Sequence, residues 1–201
     1  MRVERKRLRR VGKPMHQRGF TLIELMLVLV IAALLMLVAA PAFSTFLARQ
    51  QLAGDVNQLQ SVLTFARSEA IKQRQSITVN FSPPNTLTST RRPNECRDDE
   101  QVDDSGDDGP RYAYATWCYW AESPVSEGDP AIMRVGQAAN ITQPEAAFSL
   151  VFESLGDANV SDCGEGAGQC EVTLSPADPE DAIDPVTIRV RETGSLRKVT
   201  S

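Results

Sequence analysis

Apolar side chains occupy nearly every position of residues 20–40, where Glu24 is the only charged residue. As a helix, this run would span about 30 Å, which is the thickness of the hydrocarbon core of a bilayer. A secretory signal peptide has a shorter apolar region of about 7–15 residues before a small-residue cleavage site. Residues 40–42 resemble such a cleavage site. The length of the apolar run and the presence of Glu24 within it nevertheless favour a membrane-spanning helix over residues 20–41. A plain uncleaved anchor explains the length but not the acid.

The apolar pattern becomes one-sided after Pro41. Hydrophobic residues recur at spacings of three and four, as expected for one face of a helix, at Leu52, Val56, Leu59, Leu63, Ala66 and Ala70. This pattern predicts an amphipathic helix over residues 42–75, which continues a helix that begins near Thr21 and ends near Gln73. Its apolar face is expected to pack against a sheet. A coiled-coil partner is the alternative, although two or three heptads are short for one.

Strand patterns follow the helix. Ile77, Val79 and Phe81 alternate with polar residues before a turn at residues 83–85, and residues 148–152 alternate in the same way. Further strand candidates are residues 111–120, residues 171–174, Val186–Arg191 and residues 196–199, the last two joined by a turn at residues 193–194. A long helix followed only by strands predicts an α+β fold.

Charge divides the chain into a basic head and an acidic remainder. Residues 1–19 hold eight Lys or Arg and one acid, whereas the rest holds 13 basic and 25 acidic side chains, a formal charge of −12. Basic residues before the apolar run place the amino terminus in the cytoplasm and the body across the membrane. The only histidine, His16, lies in the head. The body therefore offers no Ser-His-Asp triad or His-ligated zinc, and we expect no enzyme, no metal and no cofactor.

Residues 18–25, with the sequence RGFTLIEL, resemble the cleavage and methylation signature of type IV pilins and type II secretion pseudopilins. The resemblance implies that a prepilin peptidase cuts after Gly19 and removes residues 1–19, and that Phe20 then becomes N-methylated. It also gives assembly roles to Glu24 and to Pro41, which matches the helix-bending proline of the family. A start at Met15 instead of Met1 would leave a five-residue leader, closer to the length common in this family, and both starts stay open.

Glu24 has a physical reason to serve assembly. A carboxylate at the middle of a membrane costs about 2.5–3.5 kcal/mol on insertion scales, and less near the end of the run. The free amine of Phe20 on a neighbouring subunit can supply the counter-charge, because opposite charges attract strongly where the dielectric is low. We therefore expect Glu24 to set the register between subunits. The alternative is an acid that reaches the membrane interface and has no partner.

Residues 66–72, with the sequence ARSEAIK, narrow the resemblance to the GspH/FimT branch of minor pseudopilins. The resemblance implies a pilin-like fold in which an antiparallel β-sheet domain, residues 76–201, packs on the outer half of the helix. It implies a structural subunit of a type II secretion pseudopilus or a type IV pilus, held first in the inner membrane with a periplasmic body. The implied partners are other major and minor pilins or pseudopilins, the prepilin peptidase, the inner-membrane assembly platform and the inner membrane.

Four cysteines lie in the exported part of the chain, where the periplasm favours disulfides. Three connectivities are open. We favour Cys96 with Cys118, which closes an acidic segment, and Cys163 with Cys170, which closes a glycine-rich turn. The acidic segment, residues 95–108, holds eight acids and one Arg, and it is either a solvated loop or a calcium site. It lacks the regular alternation and distal Glu of the twelve-residue calcium loop, which favours the solvated loop.

Some members of the branch serve DNA uptake, for which the resemblance points to a Gly-Arg-x-Arg motif in a carboxy-terminal hairpin. The corresponding stretch here is residues 194–197, where Ser195 replaces the first arginine. A basic cluster nevertheless remains at Arg189, Arg191, Arg197 and Lys198, so a DNA-binding minor pilin is the alternative function. Four cations make a weak phosphate footprint on a body of formal charge −12. Charged edge residues that deter aggregation are the favoured interpretation, and we expect no nucleic-acid partner.

Overall fold

The structure is a computed structural model of the chain. It describes residues 20–84, 93, 96, 101–102, 111–112, 116–124, 131–163, 168–178 and 183–200. Within these residues, the side chains of 37–42, 101–102, 111–112 and 200 are not described. The leader with Gly19, most of the acidic segment and its calcium hypothesis, and residues 164–167 of the glycine-rich turn lie outside the described residues.

One α-helix, α1, runs from Leu22 to Gln73. It begins one residue after the predicted Thr21 and ends at the predicted Gln73, short of the end at residue 75 predicted for the amphipathic segment. The chain divides into two compact units, Met1–Ala42 and Phe43–Ser201, which we describe separately. Within the described residues, no helix combines the length and the apolar character that crossing a membrane requires.

Eleven strands follow α1 within the described residues. In chain order they are β1 (Ile77–Ser82), β2 (Gln101–Val102), β3 (Arg111–Tyr112), β4 (Trp117–Ser123), β5 (Ala131–Ala138), β6 (Asn140–Gln143), β7 (Phe148–Phe152), β8 (Ala158–Asn159), β9 (Gln169–Ser175), β10 (Val186–Arg191) and β11 (Leu196–Thr200). A short 3-10 helix, Ser161–Cys163, lies between β8 and β9.

The strands form two main sheets and a short ribbon. One sheet has the order β5-β4-β1-β7-β8, the other has the order β11-β10-β9-β6, and β2 pairs only with β3. Every pairing is antiparallel. The α+β fold, with a helix packed on antiparallel sheets, is therefore confirmed.

The sequence placed the strands of the second half of the body better than those of its centre. The predicted strand over residues 111–120 is instead two strands, β3 and β4, which belong to different sheets. The sequence analysis also missed β2, β5, β6 and β8. Strand β5 lies at a sheet edge and its first half is largely exposed, so it needs no regular alternation of apolar residues.

One hydrophobic core joins the helix to both sheets. The six residues of the predicted helical stripe are each no more than 4% exposed, which confirms the packing face; Val62 is buried beside them. An aromatic row crosses three strands, with the Phe81 ring 5.5 Å from that of Tyr119 and 4.2 Å from that of Phe148, centroid to centroid. These rings are cross-strand neighbours in the register of β4, β1 and β7.

A second, smaller cluster covers the opposite face of β4. Cys118 and Trp120 point away from Tyr119 because side chains alternate along a strand, and they pack with Cys96 and Val135. This explains why Trp117 to Ala121 are all buried: both faces of the strand are covered. The disulfide between Cys96 and Cys118 supports this cluster, with Cα atoms 5.8 Å apart.

The second disulfide joins Cys163 to Cys170, whose Cα atoms are 5.4 Å apart. Cys163 ends the short 3-10 helix, while Cys170 lies in β9 opposite Val190 of β10. The bond therefore ties the segment that leaves one sheet to a central strand of the other. Both disulfides have the pairing that the sequence analysis favours.

Candidate assembly and binding sites

Thr21 caps the amino-terminal end of α1. Its Oγ1 accepts a hydrogen bond from the backbone N–H of Glu24 over 3.3 Å, and its carbonyl oxygen accepts one from Leu25 over 3.2 Å. Thr followed three positions later by Glu is the capping-box pattern. A carboxylate in the first turn also suits the positive end of the helix dipole. The sequence analysis did not assign this cap to Thr21, although the Thr-x-x-Glu spacing is its signal.

The apolar side chains around Glu24 are exposed. Phe20, Leu22 and Ile23 are 75–84% exposed, and the large hydrophobic residues from Leu25 to Met36 are 49–69% exposed. A continuous apolar surface of this extent marks contact with a membrane or with another protein. Phe20 and Glu24 both lie on this surface. Cleavage after Gly19, methylation of Phe20 and the assembly roles of Glu24 and Pro41 stay predictions.

The carboxy-terminal basic cluster is divided between the two faces of its sheet. Arg189 of β10 lies directly opposite Arg197 of β11, and Arg191 shares that outer face because it is two residues further along β10. Lys198 lies opposite Ile188, which is fully buried. Lys198 therefore belongs to the inner face, at the exposed edge of the sheet. The structure does not bring all four cations together.

Arg189 is already paired with a carboxylate. Its Nε donates a hydrogen bond to Oε1 of Glu171 over 2.7 Å, and its Nη2 lies 2.7 Å from the same oxygen. Glu171 lies directly opposite Arg189 in the register of β9 and β10. The pair leaves Arg191 and Arg197 as the exposed arginines of this face. The outer face of the hairpin therefore offers fewer than four free cations to a phosphate backbone. Weaker binding is expected, because affinity for DNA follows the number of phosphate charges that the protein neutralises.

Arg67, within the ARSEAIK segment, connects α1 to two turns. Its Nε donates a hydrogen bond to the carbonyl oxygen of Gly156 over 2.9 Å, and its Nη2 donates one to that of Thr193 over 3.2 Å. Gly156 lies between β7 and β8, and Thr193 lies between β10 and β11. One guanidinium thus holds a turn from each sheet. The sequence analysis singled out the segment but assigned no contact to Arg67.

Two glycines allow these turns to meet. Gly156 and Gly194 have φ angles of 88° and 70°, in the left-handed region that favours glycine. A Cβ on Gly194 would overlap the carbonyl oxygen of Gly156 and would lie 2.8 Å from Nε of Arg67. The N–H of Ala158 also donates to the carbonyl oxygen of Glu192 over 2.7 Å. The predicted turn at residues 193–194 is therefore present, and it is fixed against the edge of the other sheet.

Asp55 connects α1 to the turn between β5 and β6. Its Oδ2 accepts a hydrogen bond from the backbone N–H of Ala139 over 2.8 Å. Burial raises the pKa of the Asp55 carboxyl, and the hydrogen bond from Ala139 opposes that rise. The Tyr119 hydroxyl donates to the carbonyl oxygen of Gln137 over 3.1 Å. Its pKa is raised by burial and by the negative charge of Asp55.

Most of the chain matches one known protein family. Residues 55–195 match the family described as Type II transport protein GspH, and this match covers more than half of the chain. The chain belongs to the GspH family. Residues 14–40 match a second description, Prokaryotic N-terminal methylation motif. The resemblance to GspH/FimT-type pseudopilins is therefore confirmed.

The GspH-family chain is also similar to fimbrial proteins. Two proteins from Pseudomonas aeruginosa, each named Fimbrial protein, are 37% identical to it over 70 residues. The similarity covers 35% of this chain and 45% of each relative, so the chain matches less than half the length of these curated relatives. No solved structure matches the chain significantly.

Membership of the GspH family identifies the chain as a structural subunit of a pilus or pseudopilus. The family consists of structural subunits and not of enzymes, which confirms the expectation that this chain is not an enzyme. The match over residues 55–195 includes Arg67, Gly156 and Gly194. It ends before Arg197 and Lys198, which belong to the candidate DNA-binding cluster. Of the residues that the structure describes, no group of three or more His, Cys, Asp or Glu is placed to hold a metal ion.

Proposed function

We propose that this GspH-family chain is a minor subunit of a type II secretion pseudopilus or a type IV pilus, and that it assembles through residues 20–41. One observation carries the proposal: a methylation motif at residues 14–40 precedes a GspH body at residues 55–195 in the same chain. The names of the matched proteins refer to type II transport and to fimbriae, and both machines fit this order.

Processing begins at the leader. A prepilin peptidase cuts after Gly19, and Phe20 becomes the methylated amino terminus. Residues 20–41 then hold the chain in the inner membrane, with the body in the periplasm. The basic leader supports this orientation, and the exposed apolar side chains of residues 20–36 support a lipid environment. Two disulfides in the body suit an oxidising compartment.

Assembly exchanges lipid for protein around the same apolar surface. In a filament, the amino-terminal helices of other major and minor subunits surround residues 20–41, and the assembly platform of the inner membrane drives the transfer. The carboxylate of Glu24 pairs with the amine of Phe20 on a neighbouring subunit, because an unpaired charge is costly in an apolar bundle. The pairing sets the axial register of each added subunit.

Substitution of Glu24 tests this proposal. Glu24→Gln keeps the size and the helical position of the side chain and removes its charge, while Glu24→Asp serves as the matched control that keeps the charge. We expect Glu24→Gln to be cut and methylated normally but depleted at least about tenfold from sheared filaments, since one paired charge is worth several kcal/mol in an apolar site. Mass spectrometry of the amino-terminal peptide and immunoblots of filament and membrane fractions measure the two steps.

Two results would contradict the proposal. A mature amino terminus other than methylated Phe20 removes the processing step. Equal incorporation of Glu24→Gln, Glu24→Asp and the unchanged chain removes the charge pairing. Each result is informative by itself, because processing precedes assembly.

DNA uptake is the second candidate function, and the exposed Arg191 and Arg197 favour it. The test is the retention of duplex DNA by the full chain at low salt, compared with the double variant Arg191→Ala and Arg197→Ala. Retention that disappears in the double variant would support DNA binding. No retention by the unchanged chain would exclude it, since phosphate contacts are strongest at low salt.

A further inference from the structure

A groove of about 440 Å³ lies between α1 and β5, on the side of the body away from the Arg67 turns. Five polar, uncharged helix residues form one wall, at Asn57, Gln60, Ser61, Thr64 and Ser68. Their spacing places them on one flank of the helix, beside the buried stripe. Phe65 and Arg134 complete the lining. Among the described residues, the lining therefore has hydrogen-bonding side chains from the helix and one charged side chain, that of Arg134.

Arg134 brings the groove to the edge of a sheet, because it lies on the edge strand β5. Within the described residues β5 pairs with β4 alone and is the outermost strand of its sheet. Ala131, Ile132 and Arg134 are exposed, and Ile132 is 41% exposed although it is apolar. An edge strand presents a row of N–H and C=O groups that can pair with another extended chain. Eight residues make this edge long enough for such pairing.

Arg134 belongs to the lining of the groove, and the described residues of that lining include no acid. Its guanidinium carbon lies 5.3 Å from the ring centroid of Phe65, in a cation–π contact. In the part of the chain that the structure describes, Arg134 makes no ion pair, whereas Arg189 is paired with Glu171. The contact with Phe65 favours a guanidinium position above that ring. A cation in a lining whose other described side chains are uncharged is complementary to one carboxylate.

We propose that this groove binds an extended, acidic peptide segment of a partner protein, which adds a strand to β5 and places a carboxylate on Arg134. Backbone hydrogen bonds to the edge supply affinity, and the side chains that face the groove supply specificity. The uncharged helix wall accepts the polar or small side chains of the segment. The inference goes beyond the proposed function, because the groove involves none of residues 20–41.

The chemistry of the groove selects this occupant. A nucleic acid needs several cations along its backbone, and the described lining of the groove has one. A docked helix would leave the N–H and C=O groups of the β5 edge unpaired, whereas a strand pairs them. Charge complementarity with Arg134 then requires an acidic side chain near the middle of the added strand.

The test is a selection of binders from a random nine-residue peptide library on the full chain in detergent micelles. The affinities of the selected synthetic peptides are then measured by fluorescence anisotropy. We expect peptides that contain an acid and β-branched residues. Arg134→Glu should weaken their binding by at least about tenfold, since it replaces attraction by repulsion at a close contact. Arg49→Glu is the matched control: it reverses an exposed arginine of α1 outside the groove and should leave binding unchanged.

Backbone methylation of the peptide tests strand addition directly. Alternate N–H groups of an added strand point toward β5, so N-methylation of one alternate set should abolish binding while methylation of the other set is tolerated. Tolerance of both sets, equal binding by Arg134→Glu, or the absence of any selected peptide would overturn the proposal. Self-association of the chain through this edge, lost in Arg134→Glu, would overturn it in favour of a second copy. Binding that persists in Glu24→Gln separates the result from the proposed assembly.

Discussion

The two halves of α1 are both rich in apolar residues, yet they differ completely in burial. Between residues 22 and 36 the large hydrophobic side chains are 49–76% exposed, whereas the stripe from Leu52 to Ala70 is at most 4% exposed. Helix formation is local, because each backbone hydrogen bond joins residues four apart. Burial requires a partner surface. The described residues supply that surface to the second half, and the proposed membrane and filament supply it to the first.

The pattern of each half already indicates the kind of partner. Apolar residues surround the helix in the first half, which is typical of a helix enclosed by lipid or by other helices. They occupy one stripe in the second half, which suits one packed face and one solvated face. The comparison shows why a single helix can serve two purposes: one half stabilises the fold, and the other is available for assembly.

The largest effect is expected where the turn at Gly194 contacts the turn at Gly156. Gly194→Val should destabilise the chain by about 3–6 kcal/mol, because it adds a β-branched side chain at a positive φ and against the carbonyl oxygen of Gly156. Gly54→Ala is the control in α1, where nothing lies within 4 Å of the added Cβ. It should stabilise the helix by about 0.5–1 kcal/mol. Denaturant unfolding followed by tryptophan fluorescence measures both, and an undiminished stability of Gly194→Val would contradict the tight contact.

The same substitution in the two halves of α1 tests the comparison itself. Leu63→Ala should lower the free energy of unfolding of the body by about 2–5 kcal/mol, because it leaves a cavity at a fully buried position. Leu29→Ala, at a position 61% exposed, should change it by less than about 0.5 kcal/mol but should reduce incorporation into filaments. Unfolding in micelles and the amount of each variant in sheared filaments are the two measurements. Similar unfolding losses for both variants would break the distinction.

Removing the guanidinium that joins helix and turns should have an intermediate effect. Arg67→Met keeps most of the aliphatic length and loses both hydrogen bonds, which should cost about 1–3 kcal/mol. Lys72→Met is the control, since Lys72 is exposed and its pair with Glu69 lies at the surface, where an ion pair contributes little to stability. Hydrogen exchange should also accelerate in the β10–β11 turn of Arg67→Met alone. Unchanged exchange in that turn would show that Arg67 does not hold it.

The smallest effect concerns pH and Asp55. Because the folded pKa is raised above its ordinary value of 3.8, the folded chain binds this proton more tightly than the unfolded chain does. The stabilisation from this group is therefore greatest below that value and is lost as the pH rises through the raised pKa. Asp55→Asn does not titrate and keeps an oxygen for the N–H of Ala139. The stability of the unchanged chain relative to Asp55→Asn should fall as the pH rises from the ordinary pKa of 3.8 to the raised pKa of the folded chain, and it should then level off. Unfolding midpoints of both chains across a pH series measure this relative stability. A relative stability that rises with pH would show that the pKa of Asp55 is lowered in the folded chain.

Much of the body could be predicted because its signals are local. Strands β7 and β10 have the predicted bounds, and the turn at Gly194 follows from a glycine between two alternating segments. Strand β5 escaped prediction because it lies at an edge and contains Gly136. A Cβ at Gly136 would overlap the Tyr119 ring of the neighbouring strand, so this glycine makes room for an aromatic side chain. No local pattern in β5 signals a requirement that arises on β4.

Several features can be predicted from the amino-acid sequence alone: the apolar run, the helical stripe, the alternating strands and the processing signature. Each depends on residues within a few positions of one another. Other features depend on the folded body: Arg67 binds turns 89 and 126 residues away, Glu171 neutralises Arg189, and Arg134 has no acid beside it among the described residues. These contacts depend on which backbone segments come together around the core. That choice is made by the packing of the whole body, and no single segment encodes it.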